Sequence, residues 1–191
     1  MTAYETPPSD YRLLVPRDWF RVDLTHERWR RQLKTFVDKE SAGSGVPAES
    51  ARSVWTTLRN TAESGLAQGA LEFFLKTESP GESVLPASLL ISLAPTPRGL
   101  APIPGEFAQA LAQRTGRCVE VDVIELPAGR AVRAITETTV EFHVHMPGGV
   151  GYLNLAFSVP LSGTEGPMRE LCDAIAHSLR WITVAVAPST G

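Results

Sequence analysis

Between Thr139 and Val159 the chain alternates with a strict period of two. Val140, Phe142, Val144 and Met146 interleave with Thr139, Glu141, His143 and His145. After Pro147-Gly148-Gly149 the alternation resumes, with Leu153, Leu155, Phe157 and Val159 against Tyr152, Asn154, Ala156 and Ser158. Successive strand residues point to opposite faces, so this pattern predicts a β-hairpin with one apolar face, one wetter face and a short glycine-containing turn.

Other periods mark the remaining elements. Residues 1–10 read as a mobile tail, Tyr11 to Val15 as a short strand stopped by Pro16, and Trp19 to Leu24 as a second extended piece. From Thr25, a plausible N-cap, the period becomes helical, with Trp29, Leu33, Phe36 and Val37 on one side. Gly43, Gly45 and Pro47 break that helix, and a second follows from Ala48 to Leu66. Strands are expected over Ala70 to Thr77 and Ser83 to Leu93, separated by Ser79-Pro80-Gly81. The second of these is apolar enough to be buried on both sides. The segment Ala94 to Gly105, with four prolines and two glycines, reads as a loop, and Glu106 to Thr115 as a short helix. Strands over Arg117 to Leu126 and Arg130 to Thr138 lead into the hairpin. Met168, Leu171, Cys172, Ile175, Leu179 and Ile182 then line one side of a closing helix over Glu165 to Ile182. The order ββααββαββββα predicts a single α+β domain over residues 11–187, a largely antiparallel sheet sandwiched by helices, with a short tail at 188–191.

Composition narrows the function classes. A chain of 191 residues, 43% hydrophobic and 20% charged, buries a full core. Its net charge of −3 argues against nucleic-acid binding. No apolar run approaches the roughly 18 residues of a membrane span, and the N-terminus shows no basic-then-apolar leader, so a cytoplasmic protein is expected. Cys118 and Cys172 have no CxxC spacing, and Cys172 lies on a helix stripe, as a buried thiol would. Lysine occurs only at positions 34, 39 and 76, against abundant arginine and alanine, the usage of a GC-rich genome such as an actinobacterium's.

The segment Tyr11-Arg12-Leu13-Leu14-Val15-Pro16 followed by Trp19 resembles the entry of PsbP-like α/β/α sandwich proteins, and the helices, meander and closing helix are similar across most of the chain. The chain also resembles uncharacterised actinobacterial proteins encoded near secreted-toxin or type VII secretion genes. The PsbP-like family is mostly non-enzymatic, so the resemblance implies binding or assembly work more than catalysis. The absence of a signal sequence and lipobox cysteine separates this chain from the lipoprotein members.

Few residues suggest chemistry of their own. Glu141, His143 and His145 share one strand face, with about 7 Å per i to i+2 step. Two imidazoles and a carboxylate in that arrangement are candidate metal ligands, but a plain polar sheet face is the simpler reading, with a pH-sensitive contact surface as a third. No GxSxG elbow is present, and the glycines at 148, 149 and 151 lie between strands, where a phosphate-binding loop needs a following helix. Cys118 beside Arg117, and the carboxylates Glu120 and Asp122 on one strand face, are weaker candidates. Arg28, Arg30, Arg31 and Lys34 make a basic helix face, diluted by Glu27, Asp38 and Glu40, that suits an acidic partner or plain solvent. At 100° per residue Trp181 falls off the closing helix's stripe, which marks either a partner contact or a helix that ends early.

The sequence therefore points to a non-enzymatic protein-binding or accessory protein, immunity-like or chaperone-like, serving a secreted effector or secretion component. Trp181, Arg28 and Arg31 are its candidate partner-binding residues. No cofactor, nucleic acid or membrane is expected, and a homodimer is a further arrangement. The alternative is a small-molecule or metal-dependent enzyme using the Glu141, His143 and His145 face.

Overall fold

The computed structural model describes residues 6–45, 47–77, 87–115, 119–160 and 162–183. Along them run β1 (Asp10–Arg12), β2 (Trp19–Asp23), α1 (Trp29–Ser44), α2 (Ala48–Ala67), β3 (Ala70–Lys76) and β4 (Ser88–Pro95). They are followed by α3 (Pro104–Thr115), β5 (Glu120–Leu126), β6 (Gly129–Ile135), β7 (Thr139–His145), β8 (Gly151–Ser158), α4 (Gly166–His177) and β9 (Arg180–Ile182). Seven strands form one antiparallel sheet in the order β2-β3-β4-β8-β7-β6-β5, and β1 pairs with β9 in a separate two-stranded ribbon. The protein is an α+β sandwich in the expected element order, with β9 added.

Directly paired residues share a face, so the register traces each side of the sheet. Phe73, Leu90, Ala156, Glu141 and Ala134 pair in succession across one side, the front. There α1 and α2 bury Trp29, Leu33, Phe36 and Leu58 against Val22, Phe73 and Leu75, while α3 sets Ala108 and Leu111 against Val132 and Ala134. On the back, Leu89, Ile91, Val140, Phe142, Val144, Leu153, Leu155 and Phe157 form a continuous apolar floor under Cys172, Ile175 and Ala176 of α4 and Leu179 just beyond it. Each such side chain contributes roughly 1.5–3 kcal/mol by leaving water. Cys172 is buried, and desolvation pushes its thiol up to about 12.

Local chemistry moves several boundaries. Thr25 does not cap α1: its N–H and hydroxyl both donate to Asp23 Oδ1, and the helix begins at Trp29. The C-cap is Gly45 at φ 64, the left-handed conformation that ends helices cheaply in glycine. The first strand begins at Asp10, inside the expected tail, because Ser9 and Asp10 align with Ile182. The closing helix stops at His177: the Ser178 hydroxyl donates to Ile175 O and also accepts the Leu14 N–H, and the chain leaves as β9. The expected turn at residues 79–81, the start of the fourth strand at 83–86, and Arg117 and Cys118 lie outside the described residues.

Candidate functional site

The sheet is seven strands wide, and the front-face helices sit toward its two ends. α2 lies over β3, α3 over β5 and β6, and a cleft of about 510 Å³ opens between α2 and the central strands. α2 approaches the sheet closely at Gly65, where a Cβ would come within 2.9 Å of Leu90 Cδ2. The cleft floor carries Ser92 of β4, Asn154 of β8 and Glu141 of β7, all half-buried; its rim carries Asn60, Ser64 and Gln68 of α2, all exposed. The wetter face of the hairpin is thus a recessed floor and not an open solvent face, which corrects the simplest reading of the sequence pattern.

Glu141 and His143, two residues apart on β7, lean together: His143 Nε2 lies 3.2 Å from Glu141 Oε2, with 13% of the His143 side chain exposed. The two side chains are in close polar contact, with Nε2 itself buried. The imidazole beside it holds the Glu141 carboxyl below the usual carboxylate range, against the upward push of burial. Asn154, paired directly with His143, buries its Oδ1 with no hydrogen-bond partner. On the far side of His143, Phe107 of α3 meets the ring edge-on at 5.1 Å and stacks on Tyr152 at 4.7 Å. His145 turns away to the edge of Tyr152, 5.2 Å between centroids. Burial pushes the Tyr152 phenol up to about 12, and its hydroxyl donates to Pro102 O at 2.6 Å.

The expected three-ligand metal set is therefore not assembled. Glu141 and His143 come together, His145 joins an aromatic cluster instead, and no group of three His, Cys, Asp or Glu among the described residues is placed to hold a metal ion. Trp181 is half-buried on β9: its ring lies against the back core and its indole N–H donates to Ala128 O at 2.7 Å. Its offset from the helix stripe follows from the early end of α4. Arg28, the N-cap of α1, and Arg31, on the helix, are exposed with no ion pair among the described residues, whereas Arg30 binds Glu63 and Lys34 binds Asp38. Asp122 pairs with Arg133 across β5 and β6, so it does not form a carboxylate dyad with Glu120.

Two further places escape the sequence pattern. Beside the ribbon, a pocket of about 570 Å³ contains Tyr11, Glu72 and Arg21. Tyr11 donates its hydroxyl to Glu72, which also binds Arg21, and burial raises the phenol pKa. These groups satisfy one another and fasten β1 to β3. The other place is the loop from Thr96 to Ile103. Its backbone docks on the β7–β8 turn, through Thr96 N to Val150 O at 2.8 Å and Gly99 N to Gly149 O at 3.0 Å. Tyr152 holds its Pro102 carbonyl, and Leu100 and Ile103 project outward, 69% and 57% exposed. The only sequence signal for it is a proline-rich segment that spends two large aliphatics where a solvated loop needs none.

Among known proteins, no family model matches the chain, and no curated protein or solved structure is significantly similar to it.

Proposed function

We propose that this chain is a non-enzymatic binding or accessory protein whose protein partner docks on the tip formed by the Thr96–Ile103 loop. The observation that carries this reading is the exposure of Leu100 and Ile103 on a loop already fastened to the β7–β8 turn. Apolar side chains held in place before binding cost little further entropy to engage, which suits them as anchors for an apolar pocket on a partner. Arg28 and Arg31 leave an acidic partner a second contact on α1. The resemblance of the Tyr11–Trp19 segment to PsbP-like proteins, and of the chain to proteins encoded beside secretion genes, points to a secreted effector or secretion component as the client.

The test compares wild type, a Leu100→Ser/Ile103→Ser double variant and Trp181→Ala as bait in the native host's lysate. A stoichiometric partner held by wild type and Trp181→Ala but lost by the double variant supports the reading. Recovery of bait alone in all three contradicts it. Sedimentation of the purified chain separates a homodimer through the same tip from a different partner.

A small-molecule enzyme is the second reading, favoured by the Glu141–His143 contact beside the cleft, since a carboxylate that orients an imidazole is a general-base arrangement. It requires turnover that His143→Gln abolishes.

A further inference from the structure

We infer that the cleft between α2 and the central strands is a binding site for a small hydroxylated primary ammonium compound. It is separate from the tip and stands whether or not the tip binds a partner.

Four observations converge. First, the cleft is built: Gly65 lets α2 lie close to Leu90, forming one wall, and the strands supply a floor held by backbone pairing on both sides. Its volume of about 510 Å³ falls in the range of small-molecule pockets. Second, the lining charge has one sign. Glu141 is the only charged side chain on the cleft among the described residues, and the other polar groups are the amides and hydroxyls of Asn60, Thr61, Ser64, Gln68, Ser92 and Asn154. An anionic ligand would meet that carboxylate with no cation on the lining to offset it. Third, the floor offers acceptors. Glu141 directs only Oε2 to His143, leaving its other oxygen with no partner among the described residues, and the Ser92 hydroxyl lines the same floor. An ammonium group supplies both the donors and the positive charge that a carboxylate oxygen accepts. Fourth, the rim of neutral amides and hydroxyls matches a polyol: such groups donate and accept alike, and hydroxyl groups on the ligand do the same.

The geometry also sets the order of importance. Glu141 supplies the charge that separates an amine from its neutral counterpart. Gln68 and Asn60, on the exposed rim, contribute orientation. His143 stays outside the lining and acts on Glu141, so it is a positioning residue here.

The experiment titrates the purified chain with glucosamine and ethanolamine, with glucose and glucuronate as matched neutral and anionic controls. Binding is followed by calorimetry and by the side-chain amide resonances of Asn60, Gln68 and Asn154. The expected result is that both amines bind, that glucosamine binds more tightly than ethanolamine, and that glucose is at least about tenfold weaker than glucosamine. Glu141→Gln should erase the preference for amine over neutral sugar while leaving the fold intact. Glucuronate binding as well as glucosamine, or an unchanged amine preference in Glu141→Gln, overturns the inference. So does the absence of any amine-induced shift at Asn154 up to about 10 mM, the regime of roughly 3 kcal/mol of binding. The tip double variant serves as a folded control and should bind both amines as wild type does.

Discussion

The same three strands, β4, β8 and β7, present two faces of opposite character. On the back, Leu89, Ile91, Leu153, Leu155, Phe157, Val140, Phe142 and Val144 lie under or beside α4, nearly all with no exposed surface. On the front, one residue along in each strand, stand Leu90, Ser92, Asn154, Ala156, Glu141 and His143, none fully buried, with polar atoms lacking aligned partners. The back is packed as a stability element must be. The front carries half-buried polarity, and it is this polarity on which the proposed ligand site rests.

The sharpest break of this contrast is a large-to-small change on the back. Phe142→Ala removes a ring with no exposure that meets Phe157 edge-on at 6.0 Å. It should cost about 3–5 kcal/mol, measured by urea unfolding. Asn154→Ala, on the opposite face and the neighbouring strand, should stay within about 1 kcal/mol, because its buried oxygen has no partner to lose. Equal costs for the two variants would erase the distinction between the faces.

Next in size is the hinge that both faces share. Gly151 opens β8 at φ 136, and a Cβ there would lie 2.2 Å from Ala94 O. Gly151→Ala should destabilise by about 3 kcal/mol and release the Thr96–Ile103 loop, seen as faster amide exchange at Gly99 and Ala101. Wild-type exchange at those amides would show that the loop does not depend on the turn. A smaller loss is expected from Tyr152→Phe, which gives up one bond to Pro102 O for about 0.5–1.5 kcal/mol and loosens the tip without touching the back core.

The smallest effect concerns pH. The folded-state carboxyl of Glu141 is depressed by His143, so its contribution to stability is present above the ordinary value of 4.5 and is lost as pH falls through the lower folded value. Relative to Glu141→Gln, wild type should therefore lose stability as the pH is lowered through that window, and the difference between the two should be constant above it. A difference that grows as pH falls would mean that Glu141 is destabilised in the fold.

How much of this the sequence carried depends on the range of the signal. The hairpin was legible, since both its faces follow from alternation within twenty-one residues, Thr139 to Val159. α1 and α2 were legible from their stripes, and the back core from the apolar set of every strand. The end of α4 was not, because Leu179 and Ile182 keep helical spacing with Ile175, while the feature that ends the helix is the pairing of β9 with β1 across the length of the chain. Trp181 seemed unpartnered for the same reason. Glu141 and His143 were found as a pair on one strand face, yet the sequence could not place a cleft above them, since that depends on where α2 and α3 settle. The roles of Asn154 and Phe107 were not legible, and the Leu100–Ile103 tip showed only as two large aliphatics in a proline-rich segment, because the sheet alone sets their neighbours.

The account stands or falls on whether the polar floor serves the fold or a ligand. The most direct measurement is the urea midpoint of Asn154→Leu, which replaces the unpartnered amide with an apolar group of similar size. If the floor is kept for binding, the midpoint stays at the wild-type value or rises. A fall equivalent to more than about 1 kcal/mol would show that Asn154 stabilises the fold itself, contradicting the division between the two faces.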